Sequence, residues 1–227
     1  MTGASSLPFD EIATVSPETL GMLMLKSDPH AARLDDGAKR LAVSDALADG
    51  AAIAGDLRER FPGQSPRRIA AELQVTVTTT DEDPLVGSIW RFAEYRARPP
   101  QILLYARGLA PVEHALARAP AARLLGNAVV EDVLIAHELY HHAEATRAEL
   151  PIARRHQATL FQIGKWRWRT GIPALAEIAA GSFAQALLQL PCHPKVLDFL
   201  AGEAIGSKRR VHPGSGVMTL LPGSEIA

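Results

Sequence analysis

The 227-residue chain has one cysteine, Cys192, and few aromatic residues, which make up 5% of the sequence. A single cysteine excludes an intrachain disulfide and a cysteine-rich metal knuckle. It fits a reducing compartment, so we expect a cytoplasmic location. The scarcity of aromatic residues, together with abundant alanine, favours a helix-rich fold over a β-sandwich.

The chain also lacks an excess of charge of either sign and any long apolar run. Its 24 basic and 25 acidic residues leave a formal net charge of −1, so no global field attracts nucleic acid or an anionic membrane. The N-terminus has no signal-peptide pattern, and the apolar run from Leu20 to Leu25 is too short to span a bilayer. We therefore expect no membrane partner and no nucleic-acid partner.

Hydrophobic periodicity predicts helices around a small sheet. Apolar residues recur at helical spacing from Ala38 to Phe61, and Ser65-Pro66 opens a short helix through Glu72. The β-branched run 75–80 is typical of a strand. Further strands are predicted at 89–97 and 101–105, and further helices at 17–26, 110–124, 127–149, 173–190 and 194–205. The pattern predicts an α+β fold, helix-rich, with a mixed sheet of three or more strands.

The clearest functional motif is His137-Glu138-Leu139-Tyr140-His141. Positions i and i+4 share one face of a helix, so His137 and His141 can direct two imidazoles at one cation. Glu138 would then lie beside the metal and accept a proton from a zinc-bound water. Apolar residues among positions 129–134 would bury this helix, where ionisable side chains are costly unless they bind or react. The motif therefore predicts a zinc (Zn2+) site on an HExxH active-site helix.

A catalytic zinc ion needs a third protein ligand. The metzincin continuation H-x-x-G-x-x-H is absent after His141, so this ligand must come from elsewhere. Glu177 is the best placed, because it is a lone acid on an apolar helix whose Ala180 and Gly181 would allow close packing on the motif helix. The other candidates are Glu144, Glu149, His156 and His193.

The motif followed by E-x-x-A-x-x-F-A-x-x-L-L and a proline resembles the ImmA/IrrE-type zinc peptidases, compact gluzincins of bacteria and their mobile elements. The resemblance covers roughly residues 65–191. The matching positions are His137, Glu138, His141, Glu177, Ala180, Phe183, Ala184, Leu187, Leu188 and Pro191. It implies a zincin-like fold, with zinc bound by His137, His141 and Glu177, and with Glu138 as the catalytic base.

Two positions depart from the pattern of that family. Tyr140 stands where the family usually has glycine, and Gly181 stands where it usually has Asn or Asp. The second departure removes an expected partner of a ligand histidine, so another group would have to orient that imidazole.

The resemblance implies a zinc metallopeptidase that cuts a peptide or protein substrate. A regulatory protein is one candidate substrate. The metallopeptidase domain would span 65–205, between an N-terminal helical arm at 1–64 that packs on it and a polar tail at 206–227. An alternative is a zincin-fold pseudoenzyme that serves as a binding module. A third interpretation, a helix-rich protein that binds nucleic acid or a partner, requires the motif to be a coincidence. The sequence does not indicate an oligomeric state.

An extended substrate would pair with an exposed strand edge. We expect this edge at strand 101–105, with contacts from Ile102, Leu103, Leu104 and Tyr105. An additional donor to the tetrahedral oxyanion is expected from Tyr105, Tyr140, His142 or His156.

The segment Lys165-Trp166-Arg167-Trp168-Arg169 alternates charged and aromatic residues. This pattern is typical of a half-buried strand, and we expect a hairpin near the active-site cleft. Stacking of the two tryptophans on nucleic-acid bases is the competing interpretation.

Overall fold

The computed structural model describes residues 14–87, 89–117, 121–198, 210–212 and 217–221. Its helices are α1 Pro17–Lys26, α2 Asp36–Arg60, α3 Pro66–Glu72, α4 Ala106–Leu116, α5 Val130–Thr146, α6 Ile152–Arg155 and α7 Ala174–Leu188. Its strands are β1 Thr76–Thr80, β2 Leu85–Val86, β3 Ile89–Arg91, β4 Ala93–Ala97, β5 Pro100–Tyr105, β6 Gln157–Ile163, β7 Trp166–Gly171, β8 Arg210–His212 and β9 Val217–Leu221. Within these ranges, no helix is both long and apolar enough to cross a membrane.

Three helices begin at a residue whose side chain caps the first turn. The side chains of Ser16, Asp35 and Ser65 each accept a hydrogen bond from the backbone N–H three residues further on. These bonds satisfy donors that the first helical turn leaves unpaired. The predicted helices at 17–26, at 38–61 and from 65 to 72 are confirmed to within two residues at each end.

A mixed three-stranded sheet lies beside the helices. β5 is its central strand and pairs in parallel with β1 and antiparallel with β4. A second sheet has the order β2-β3-β9-β8, and β6 and β7 form a separate hairpin. The α+β class and the mixed sheet are as predicted.

The prediction of one strand at 89–97 is wrong, because the segment divides between two sheets. β3 pairs with β2 and β9, whereas β4 pairs with β5, and the buried Phe92 separates the two strands. The prediction of one helix at 110–124 is also inaccurate: α4 ends at Leu116, and a short 3-10 helix follows at Ala121–Leu125. The alternation of apolar and polar residues does not show which strand each short segment pairs with. The division of the predicted strand at Phe92 therefore has no local sequence signal.

The C-terminal predictions fall only partly within the described residues. Of the predicted helix at 194–205, residues 196–198 are helical, and the part from 199 onward lies outside the described residues. The predicted polar tail at 206–227 contributes β8 and β9, which join the second sheet through β3. The rest of that tail, and residues 1–13 of the predicted N-terminal arm, also lie outside them.

Helix α7 packs against both α2 and α5. At the α2 contact, a Cβ placed on Gly50 would lie 2.1 Å from the carbonyl oxygen of Ala179, so only glycine permits this approach. Ser182 Oγ on α7 also donates a 2.7 Å hydrogen bond to the carbonyl of Leu47 on α2. The helix that carries Glu177 is thereby held in the core by direct backbone contact.

Candidate metal centre

Two helices bring the three predicted ligands together. His137 and His141 lie one turn apart on α5, and their ring centroids are 5.2 Å apart. Glu177, in the first turn of α7, places Oε2 3.2 Å from His137 Nε2 and Oε1 3.5 Å from His141 Nε2. One ligand atom from each residue lies within 4.8 Å of the other two. Two imidazole nitrogens and one carboxylate oxygen form a group that could hold a metal ion.

The remaining candidate ligands have other partners. These are Glu144 with the N–H of Ile152 at 2.9 Å, Glu149 with Arg147 at 3.1 Å, His156 with Asp45 at 2.8 Å and His193 with the N–H of Lys195 at 3.1 Å. None of them belongs to the group formed by His137, His141 and Glu177.

The environment of Glu177 favours its ionised form. Burial opposes ionisation, since the side chain is only 12% exposed. The hydrogen bond with His137 and the charges of both histidines outweigh burial and hold the pKa of Glu177 below its ordinary value. The carboxylate is therefore charged and available to a cation.

Glu138 occupies a different environment from that of Glu177. The residue is 4% exposed, and burial raises the pKa of its carboxyl to about 7. His141 lowers this pKa, the charge of Glu177 raises it, and a hydrogen bond from the backbone of Tyr95 lowers it. A carboxyl group with a pKa near neutrality is suited to accepting a proton and returning it.

Tyr95 on β4 also contacts the metal-site helix through its side chain. Its hydroxyl lies 2.9 Å from Nδ1 of His142, and the two rings meet edge-on at 5.5 Å. Burial lowers the pKa of His142. Tyr95 has no sequence motif around it, and it meets α5 only because β4 packs against that helix.

The outer edge of β4 faces this helix. Tyr105 N–H donates to the carbonyl of Phe92, so alternation in the antiparallel pair turns the backbone groups of Ala93 and Tyr95 away from β5. The hydrogen bond from the Tyr95 backbone to Glu138 agrees with this direction.

The predicted substrate edge at strand 101–105 is wrong. β5 has a hydrogen-bonded neighbour on each side, and Ile102, Leu103, Leu104 and Tyr105 are all buried. A strand that is paired on both sides has no free edge for a peptide, and a continuous apolar run is typical of a strand that is also covered on both faces. Among the described strands of this sheet, the edges belong to β1 and β4.

The four predicted oxyanion donors all make other hydrogen bonds. Their partners are Glu94 for Tyr105 at 2.9 Å, Asp49 for Tyr140 at 2.9 Å, Tyr95 for His142 at 2.9 Å and Asp45 for His156 at 2.8 Å. These bonds distinguish none of the four as the additional donor.

The predicted strand at 165–169 is confirmed within the hairpin of β6 and β7. It is not half-buried, because Trp166 is 84% exposed and Trp168 is 62% exposed. Trp168 stacks on Phe161 across the hairpin, with ring centroids 5.9 Å apart. The alternation arises from the two faces of an isolated ribbon, one apolar and one basic.

Comparison with known proteins finds no matching family model, no similar protein of curated function and no matching solved structure. The arrangement of His137, Glu138, His141 and Glu177 is therefore the feature from which a function can be inferred.

Proposed function

We propose that the chain is a zinc-dependent metallopeptidase of the gluzincin type. The observation that supports this most is the convergence of His137, His141 and Glu177, whose ligand atoms lie within 4.8 Å of one another. Two histidines and a carboxylate are the protein ligands of a common class of catalytic zinc centre, which keeps a further position for water or substrate. Zinc bound there would lower the pKa of a water molecule and polarise the carbonyl group of the substrate.

The charge and the partial exposure of these side chains suit a zinc ion that must also be reached by a substrate. Glu177 is ionised, and the ligand side chains remain between 12% and 21% exposed, so the group is neither sealed nor fully solvated. A partly open three-ligand group is typical of catalytic sites, whereas structural zinc sites are closed by four protein ligands.

Glu138 is the proposed proton carrier. Its carboxylate takes a proton from the attacking water and delivers it to the amine nitrogen of the leaving group. The hydrogen bond from the Tyr95 backbone holds this carboxylate beside the ligand histidines. Burial brings the pKa of Glu138 to about 7, so both transfers are feasible near neutral pH.

A cavity beside the metal ligands is the proposed binding site for a substrate side chain. It reaches His137 and Glu177 and has a largely apolar wall that includes Phe92, Val112, Val130, Val133 and Leu134. This wall suits an apolar side chain close to the scissile bond.

The decisive experiment measures bound zinc and peptide-library cleavage for the wild type, E177A and E138Q. E177A should lose most of its zinc, whereas E138Q should keep zinc and lose about 10²- to 10⁴-fold in turnover, because only the proton carrier is missing. The exposed Glu113 provides a matched control as E113Q, which should behave as the wild type.

Full zinc affinity in E177A would overturn the ligand assignment, and full turnover in E138Q would overturn the mechanism. A wild type that binds zinc but cleaves nothing would support the alternative, a zincin-fold pseudoenzyme that acts as a binding module. We also place the protein in the cytoplasm, in keeping with its single cysteine, a free and buried thiol.

A further inference from the structure

His193, in the loop after α7, is a buried histidine whose Nε2 makes no hydrogen bond of ordinary geometry with any described residue. The residue is 3% exposed, and its Nδ1 accepts a 3.1 Å hydrogen bond from the backbone N–H of Lys195. The proton of the neutral ring therefore lies on Nε2. Among the described residues that atom makes no hydrogen bond of ordinary geometry, although the backbone of Ile178 on α7 acts on the ring as a hydrogen-bond acceptor. Such unpaired buried groups are rare and need an explanation.

The imidazole lies where a side chain at position 181 would be. A Cβ built on Gly181 would lie 2.4 Å from Cε1 and 2.5 Å from Nε2 of His193. Any residue other than glycine would displace the ring. Gly181 is four residues after Glu177 on α7, so the ring packs on the helix face that carries the metal ligand, one turn away.

The same cavity is lined by His193, His137, Glu177 and Gly181. The ring is also within electrostatic reach of the site. Burial is the main reason that the pKa of His193 is lowered to about 3; the charges of Lys195 and His137 also lower it, and a hydrogen bond with the backbone of Ile178 raises it. The imidazole therefore lies beside the turn of α7 that begins at Glu177 and within the field of a ligand histidine.

The loop that carries His193 is anchored just before this residue. Cys192 Sγ donates a 3.1 Å hydrogen bond to the carbonyl of Leu124, and Lys195 forms a local ion pair with Asp198. The bond of Cys192 fixes the start of the loop, and the ion pair stabilises the turn that follows it.

We propose that His193 is a positioning residue for the metal centre, which holds the Glu177–Gly181 turn of α7 beside His137. Its ring occupies the space that a side chain at position 181 would fill, and its N–H acts on the backbone of Ile178 in the same turn. The inference rests on the metal site of the proposed function and does not require peptidase activity. Groups that orient metal ligands typically change metal affinity 10- to 100-fold when they are removed.

The test measures zinc affinity of the purified full chain by competition with a chromophoric chelator. H193A should bind zinc about 10- to 100-fold more weakly than the wild type. H193F keeps a ring of similar size against Gly181 but has no N–H, and it should be weakened as much. The double variant G181N/H193A returns a polar side chain to the same space and should recover at least about tenfold. H156A, which removes a histidine that contacts Asp45 instead, is the matched control and should bind normally.

Wild-type affinity in H193A would overturn the inference, and so would full affinity in H193F, because packing alone would then explain the ring. Circular dichroism melts restrict the comparison to folded proteins.

If H193A does not fold, G181A addresses the same question, since its methyl group displaces the ring while His193 remains. The absorption spectrum of bound Co²⁺ provides a second readout, and it should differ between the wild type and G181A. A wild type that binds zinc without cleaving peptides would remove the proposed activity and leave this inference in place.

Discussion

Replacing Glu138 with glutamine should stabilise the metal-free protein at alkaline pH far more than at acid pH. The folded-state pKa of Glu138 is about 7, against an ordinary value of 4.5. Between these two pH values the folded protein keeps a proton that the unfolded chain has lost. The free energy of unfolding of the wild type is therefore at its full value below pH 4.5, and part of it is lost as the pH rises through 7. Glutamine cannot ionise, so E138Q avoids the loss.

The size of the effect follows from the two pKa values. The difference between about 7 and 4.5, at 1.36 kcal/mol per unit, corresponds to about 3 kcal/mol of unfolding free energy at high pH. Much of this difference should develop between pH 5 and pH 8.5. We expect the advantage of E138Q over the wild type to grow by about 2 to 3 kcal/mol across that interval.

Urea denaturation at pH 5 and pH 8.5, with a chelator present, measures this change. The comparison uses the difference between the two pH values, because an imperfectly paired glutamine amide would shift stability equally at both. E113Q, at an exposed position, should follow the pH dependence of the wild type. If E138Q and the wild type changed in parallel with pH, Glu138 would not be the buried acid described above.

Two further predictions concern the core. G50A should lose about 1 to 3 kcal/mol of unfolding free energy, because its methyl group would lie 2.1 Å from the carbonyl of Ala179. The control G55A, on the same helix and with no atom within 4 Å, should gain slightly in the same urea titration. D49A should lose about 1 to 3 kcal/mol, because it removes the 2.9 Å acceptor of the buried Tyr140 hydroxyl, whereas Arg155, which pairs with Asp49 at 2.8 Å, is 35% exposed and can be solvated. A melting temperature of D49A equal to that of the wild type would show that this carboxylate is dispensable.

Short-range patterns predicted the helices and the metal-site motif. Capping side chains at Ser16, Asp35 and Ser65 bond to backbone groups three residues away, so the chain carries these signals locally. The spacing of His137 and His141 likewise places them on one helix face whatever surrounds the helix. Glu177 was a candidate on its apolar helix, but its approach to within 3.2 Å of His137 needed the packing of α7 on α5.

Contacts between distant segments decided the rest. Residues 89–97 have the pattern of a single strand, yet pairing divided them at Phe92 and made β5 a central strand and β4 an edge. Tyr95 meets His142, and His193 fills the space over Gly181, through packing that no local spacing encodes. Helix starts and ligand spacing are properties of a few neighbouring residues, so the sequence by itself determined them. The strand order and the positions of the Tyr95 and His193 rings depend on which segments, distant in sequence, pack against each other. Only the tertiary structure decided them.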